Sequence, residues 1–445
     1  MEIPAILAGL ADTGGTVLAF IVALSIIVAV HEYGHYIVGR WSGIHAEVFS
    51  IGFGPVLWSR VDRRGTRWQV AALPFGGYVK FLGDANAASA GADEGTMARL
   101  SDEERRHTMH GAPLWARAAT VFAGPLFNFI LSIIVFGALL FASGVATDTP
   151  EVASVKPLPY QHDLRPGDRI LAVAGQETPD YSALGDVAET LPPEETVDYR
   201  VMRDGREISI AGPTLMPPLI LGIQPRSAAQ DAGLEIGDVI LAMNGEPTPR
   251  FSDLQEVVRE GKGAPVTLTV WRDGETFETT LSPRERPVEA ADGGLETGYL
   301  IGISSTFVFE PATRSPGLGE AATVGVAQTW GIIRGTFTGI SSMVAGRIST
   351  CNINGPVGIA QATGQAAEEG LTPFIWLVAA LSTAIGLLNL FPIPVLDGGH
   401  LVFHAYEWAF GKPPPDRVMN TAMAVGLALV LSLMVFGLTN DLFCP

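Results

Sequence analysis

The sequence predicts a multi-span α-helical membrane protein, with four transmembrane helices, two inserted copies of a small α/β unit and a membrane-associated β-hairpin. Three observations predict it. Hydrophobic residues make up 47% of the chain and charged residues 17%, with a mean hydropathy of +0.29. That balance is too apolar for an ordinary soluble protein and far from disorder. Four stretches reach the roughly 20 apolar residues that a bilayer core requires, and between the second and third of them the sequence repeats itself. The 445 residues correspond to about three structural units at about 150 residues each. A net charge of −18 argues against a nucleic-acid surface.

The expected spans are Thr16–Val38, Ala118–Phe141, Pro373–Phe391 and Ala422–Leu438. No basic residue precedes the first apolar run and no small-residue cleavage site follows it before His31-Glu32, so it is expected to be retained and not removed as a signal peptide. Residues 39–117 carry ten Lys and Arg side chains, the mark of a cytoplasmic loop. Residues 151–310 carry 13 basic and 27 acidic side chains and are expected to fold on the opposite side. Both termini then lie outside. The expected organisation is a first membrane half at 1–147, the two repeat units at 148–217 and 218–286, a linker with interfacial helices at 287–370, and a second membrane half at 371–445.

Span one ends in His31-Glu32-Tyr33-Gly34-His35. On a helix, residues four apart project from one face, so both imidazoles can reach one zinc ion while Glu32 sits beside it as a base. The pattern alone is moderately specific, but three ionisable groups within five residues of a membrane span are costly without a partner or a function. A solvated polar cluster at the helix end is the bland alternative. With only Cys351 and Cys444 available, there is neither a disulfide framework nor a cysteine-built zinc site, so any metal falls to His, Asp or Glu.

After span one, Val56–Val61 and Thr66–Leu73 flank Asp62-Arg-Arg-Gly65, the pattern of a hairpin within about 48–80. Its apolar strands could enter the membrane and offer an edge to an extended chain, or lie on the inner membrane face. Gly76 and Gly77, beside Tyr78, would admit a substrate backbone closely. Asn128, in span two, is expected to hydrogen-bond between helices and not to touch substrate.

The repeat aligns Leu164-Arg-Pro-Gly-Asp168 with Leu234-Glu-Ile-Gly-Asp238 at an offset of 70, and Val201-Met-Arg203-Asp-Gly205 with Val270-Trp-Arg272-Asp-Gly274 at 69. Each unit combines a Gly-Asp turn, a short apolar strand, a helical stretch and a strand pair joined at Asp-Gly. The pair resembles tandem PDZ domains of the bacterial, circularly permuted kind. That implies either a groove for extended segments or a size filter. Residues 317–347 are expected to form interfacial helices.

A third metal ligand should lie at the depth of the histidines on another inward-running span. Span three ends Asn389-Leu-Phe-Pro392-Ile-Pro394-Val-Leu-Asp397-Gly-Gly-His400, which places Asp397 there, with His400 and His404 as alternatives. Zinc catalysis commonly uses three protein ligands and a fourth position for water.

With these motifs stand Gly52-Phe-Gly-Pro55, Leu73–Lys80, Ala123-Gly-Pro-Leu-Phe-Asn128 and Gly355-Pro356. Over nearly its whole length the chain resembles the site-2 protease family of intramembrane zinc metalloproteases. The resemblance implies one zinc per chain held by His31, His35 and Asp397, with Glu32 as catalytic base and Asn389 as a substrate-orienting group. Zinc would lower the pKa of water to about 7, and Glu32 would take its proton and pass it to the leaving nitrogen.

It also implies a bacterial inner-membrane enzyme of regulated intramembrane proteolysis and envelope-stress signalling. Its substrates would be single-span membrane proteins, such as anti-sigma factors already shortened by a site-1-type protease, and remnant signal peptides. Unfolded envelope proteins would meet the PDZ pair. The competing expectation is a non-catalytic PDZ membrane receptor with a structural metal, and a transporter stands third.

Overall fold

The computed structural model describes residues 3–85, 92–290 and 292–444. Among the described residues, four helices are long and apolar enough to cross a membrane: Gly14–Trp41, Leu114–Ser143, Leu371–Asn389 and Asp416–Phe443. Helices suit hydrocarbon because they bond their backbone internally. The third ends at Asn389, two residues before the expected Phe391, because Pro392 and Pro394 cannot continue a helix. The chain divides into two compact units. One comprises the chain up to Leu139, Leu318–Phe337 and Ile353–Cys444, and the other comprises Leu140–Gly317 and Thr338–Asn352.

In the first unit, small residues and hydroxyls join the helices, the usual means of association where no hydrophobic force separates helix from lipid. A Cβ on Gly34 of span one would lie 2.4 Å from the Ala123 carbonyl oxygen of span two. Ser132 Oγ donates to the Ala379 carbonyl (2.7 Å), and Ser382 Oγ donates to the Asn128 carbonyl (3.0 Å). Ala23 and Ile27 of span one pack with Val378 of span three.

Helix Pro356–Glu369 is capped from the end of span four. The Gly355 and Val357 amides donate to the two Asp441 carboxylate oxygens, each at 2.9 Å. The Gly355 position admits no side chain, since a Cβ there would meet the Gly437 backbone at 2.4 Å. Helix Leu318–Val344 is one continuous helix of 27 residues. Its first half lies along span two, where a Cβ on Gly325 would stand 2.4 Å from the Ile133 carbonyl oxygen. The helices expected over 317–347 are this single helix.

Strands Ala46–Val61 and Arg67–Phe81 form the hairpin. The Asp62 carboxylate closes its turn, accepting from the Arg64 and Thr66 amides and the Trp68 indole at 2.8, 3.0 and 3.0 Å. The pairing extends beyond a simple hairpin. Val48–Ile51 pairs with 77–80 and also with 67–70, which in turn pairs with 58–61. The result is a four-run sheet, in which 77–81 forms one outer run.

The second unit carries the repeats as two four-stranded antiparallel sheets, built from residues 169–213 and 239–281. The repeated Gly-Asp and Arg-Asp-Gly segments meet in each copy as a two-pronged ion pair. Arg203 Nε and Nη2 reach the two Asp168 oxygens at 2.6 Å each, and Arg272 reaches Asp238 at 2.6 and 2.7 Å. Both aspartates are buried.

Each copy has its own apolar core, and residues after 286 complete both. Ile301 belongs to the second core, and Val308 and Phe309 to the first. Ile303-Ser304 pairs with Gly222-Ile223, and Phe309–Pro311 pairs with Val152–Val155. The stretch read as linker from 287 therefore begins as strand. Both cysteines, Cys351 and Cys444, are disulfide-bonded, where the sequence suggested no disulfide framework.

Candidate metal centre and active site

His31 and His35 lie one turn apart on the span-one helix, and Asp397 is the first residue of helix Asp397–Phe410. The two glycines after Asp397 let that helix fold back on its own approach. A Cβ on Gly398 would stand 2.3 Å from the Leu390 and Phe391 carbonyl oxygens, and one on Gly399 would stand 2.3 Å from that of Ile393. Asp397 is thereby carried back to the span-one histidines.

His31 Nε2 is 3.1 Å from Asp397 Oδ2 and 3.1 Å from His35 Nε2, while His35 Nε2 is 3.6 Å from the same carboxylate oxygen. These atoms all lie within 4.8 Å of one another. Tetrahedral ligands at the usual zinc distances stand about 3.3 Å apart, so two imidazole nitrogens and one carboxylate oxygen at these spacings fit zinc and leave a fourth position open. The Asp397 oxygen facing them is buried without a hydrogen-bond donor, as an atom reserved for a cation would be.

The cluster opens into a cavity of about 950 Å3 that is also lined by Glu32, Asn389, Gly77 and Tyr78. The Val79 backbone reaches the Glu32 carboxylate. A Cβ on Gly77 would stand 3.2 Å from Glu32 Cγ and 2.7 Å from the Ser50 carbonyl oxygen. Tyr78 stacks on Phe53 with ring centroids 5.9 Å apart, and its hydroxyl accepts from Gln69 Nε2 at 3.2 Å. Gly76 is absent from the described cavity wall. Its φ of 127° and its closeness to the Phe53 ring make it a bend in the strand. His400 and His404 line the cavity but stand outside the three-residue cluster.

Residues 19–433 match the sequence model of peptidase family M50. The chain belongs to this family, that of the site-2 proteases. It is 38% identical over 432 residues to a "Putative zinc metalloprotease" of Agrobacterium fabrum, covering 96% of each chain. It is 36% identical over 431 residues to a protein of the same description from Rhizobium meliloti, again covering 96% of each. With "Regulator of sigma-E protease RseP" of Salmonella typhimurium it shares 33% identity over 450 residues, covering 95% of this chain and 97% of the other. The protein is thus a zinc metalloprotease.

Span two supplies what the sequence did not reveal about this M50 site. His35 Nδ1 lies 2.8 Å from the Thr120 carbonyl oxygen, and His31 Nδ1 lies 3.3 Å from Asn128 Nδ2. Gly124 lies between these two contacts, directly beneath the imidazoles: a Cβ there would stand 2.3 Å from His35 Nε2 and 2.8 Å from His31 Cε1. Pro125 interrupts the helix ladder in the same turn. At the start of span two, Arg117 grips both Glu407 carboxylate oxygens at 3.0 and 2.6 Å, tying it to the helix that begins with Asp397. Asn128 bonds between helices as expected, but that its partner is a histidine of the cluster was not legible, because which face of an apolar helix meets the histidines depends on tertiary depth.

Proposed function

We propose that this M50 protease cleaves peptide bonds within transmembrane segments of single-span membrane proteins, with His31, His35 and Asp397 as zinc ligands and Glu32 as the general base. One observation carries the reading: Glu32 lines the cavity onto which the three clustered ligand atoms open. A purely structural metal site has no use for a carboxylate there. When bound, zinc polarises the scissile carbonyl and activates water. Glu32 accepts the proton of the attacking water and delivers it to the leaving nitrogen. Asn389, at the end of span three, orients the substrate across the cavity.

A substrate helix keeps its carbonyls bonded internally and must unwind before attack. Run 77–81 has a strand partner on one side only among the described residues, the segment 46–51. Its open edge passes Glu32 and can hold an extended segment by strand addition. Exposed Val56, Leu57, Trp58 and Val61 on the hairpin supply the apolar surface for contact with lipid.

The substrates in this reading are anti-sigma factors first shortened by a site-1-type protease, and remnant signal peptides, with envelope-stress signalling as the outcome. A relative named for sigma-E regulation supports the choice. The repeats act as PDZ domains that filter or bind unfolded envelope proteins. The enzyme sits in the bacterial inner membrane with the repeats and both termini periplasmic. The bonded Cys351 and Cys444 support that orientation, since disulfides persist in oxidising compartments. Co-expression of wild type or Glu32→Gln with a tagged single-span substrate tests the function. A shortened product with wild type and none with Glu32→Gln is expected, and equal processing by both would refute it.

A further inference from the structure

We infer that Asn128 is a positioning residue which fixes the tautomer of His31 by accepting a hydrogen bond from its Nδ1–H. The inference rests on His31 being a zinc ligand through Nε2, the atom that faces Asp397 and His35. A neutral imidazole that offers its Nε2 lone pair carries its proton on Nδ1. His31 Nδ1 is then a donor and needs an acceptor.

The group opposite it is the Asn128 amide, with Nδ2 at 3.3 Å. Two donors facing each other form no hydrogen bond. Asn128 Oδ1, meanwhile, is buried with no partner, and the residue is 0% exposed. A half-turn of the amide exchanges two groups of nearly the same shape. It places Oδ1 against His31 Nδ1–H and Nδ2 where Oδ1 now stands, so that the contact with the ligand pairs a donor with an acceptor where two donors would otherwise face each other at a cost in free energy.

The neighbouring ligand follows the same logic without any rotation. His35 Nδ1–H donates to the Thr120 carbonyl at 2.8 Å, which leaves its Nε2 free for the metal. Span two therefore holds the outer nitrogen of both imidazoles, one through backbone and one through a side chain. The Asn128 position is itself pinned, because its carbonyl accepts from Ser382 of span three at 3.0 Å. Metal-bound histidines depend on such outer partners for orientation and basicity, and losing one typically costs 10- to 100-fold in metal affinity or activity.

The test measures zinc affinity by competition with a fluorescent chelator on the purified full-length protein, and the melting temperature of the zinc-stripped protein. Asn128→Leu keeps the bulk and removes the acceptor. Its zinc affinity should fall roughly 10- to 100-fold while the zinc-stripped protein melts as wild type does. Asn128→Asp can only accept, and should hold zinc close to the wild-type affinity. Loss of zinc in both variants would assign Asn128 a donor role and overturn the inference. So would full affinity in Asn128→Leu, or a fall in affinity matched by earlier melting of the zinc-stripped protein, which would mark a packing role. His31→Ala in the same assay separates the two levels: unchanged affinity there would refute the ligand set itself, whereas loss there with none in Asn128→Leu would refute only the positioning role.

Discussion

Gly124 of span two lies so close beneath His35 that a Cβ on it would stand 2.3 Å from the Nε2 that faces Asp397. Neither partner can yield easily, because span one is held against span two at Gly34 and Ala123 and His35 Nδ1 is anchored on Thr120. Gly124→Ala should therefore swing the imidazole away from the cluster or part the two helices. We expect zinc occupancy of the purified protein to drop by about tenfold or more, the scale on which displaced metal ligands lose affinity, and proteolysis to fall with it. Wild-type zinc content in Gly124→Ala would mean that the helices part without disturbing the ligands.

The third ligand is open to the same measurement. Asp397 Oδ2 is within 3.6 Å of both histidine nitrogens, whereas His400 lines the cavity outside that cluster. Metal analysis should find about one zinc per chain, strongly reduced in His31→Ala and Asp397→Ala and retained in His400→Ala. Full occupancy in Asp397→Ala with loss in His400→Ala would transfer the third position to the histidine.

Much of this site was legible because its parts obey local rules. Two histidines four apart on an apolar helix must share a face, and the depth of Asp397 follows from two spans running the same way before Pro392 and Pro394 stop the second. Thr120, Gly124 and Asn128 were not legible as site residues, since an apolar helix does not disclose which of its faces meets a neighbour. The same limit applied to the sheet. Two apolar runs flanking Asp62–Gly65 announced the hairpin, but the pairing of 46–51 with 77–81 joins segments about 30 residues apart and rests on packing. Closure of both repeat cores by Ile301, Val308 and Phe309 was likewise hidden, because a strand so far from its partner leaves no local periodic signal.

The duplicated ion pairs make a prediction about independence. Asp168 is fully buried against Arg203, and Asp238 is 1% exposed against Arg272. Removing one charge of a buried pair costs about 3–5 kcal/mol, and here the lower end applies because each arginine keeps some solvent contact. The two cores are separate. Asp168→Asn should open the first copy and Asp238→Asn the second, and limited proteolysis of the full-length protein would yield different fragments. Identical fragment patterns would show that the copies unfold as one body.

The outer run 77–81 yields the sharpest test of how a helix reaches the zinc. An extended substrate must gain several hydrogen bonds, each worth only about 0.5–1.5 kcal/mol net, and one strand edge supplies them as a row. Val70 is poorly suited to test this, since its run already pairs with both 58–61 and 48–51, and proline there would break the sheet itself. Gly77 lies on the outer run, and a Cβ there would stand 2.7 Å from the Ser50 carbonyl oxygen and 3.2 Å from Glu32 Cγ. Gly77→Ala should push the run away from Glu32 with zinc content unchanged. Cleavage of a stable substrate helix should slow more than cleavage of one already loosened by Gly or Pro near the cut, because only the former depends on the edge for unwinding. Equal slowing of the two substrates would confine Gly77 to placing Glu32 and end the case for an unwinding edge.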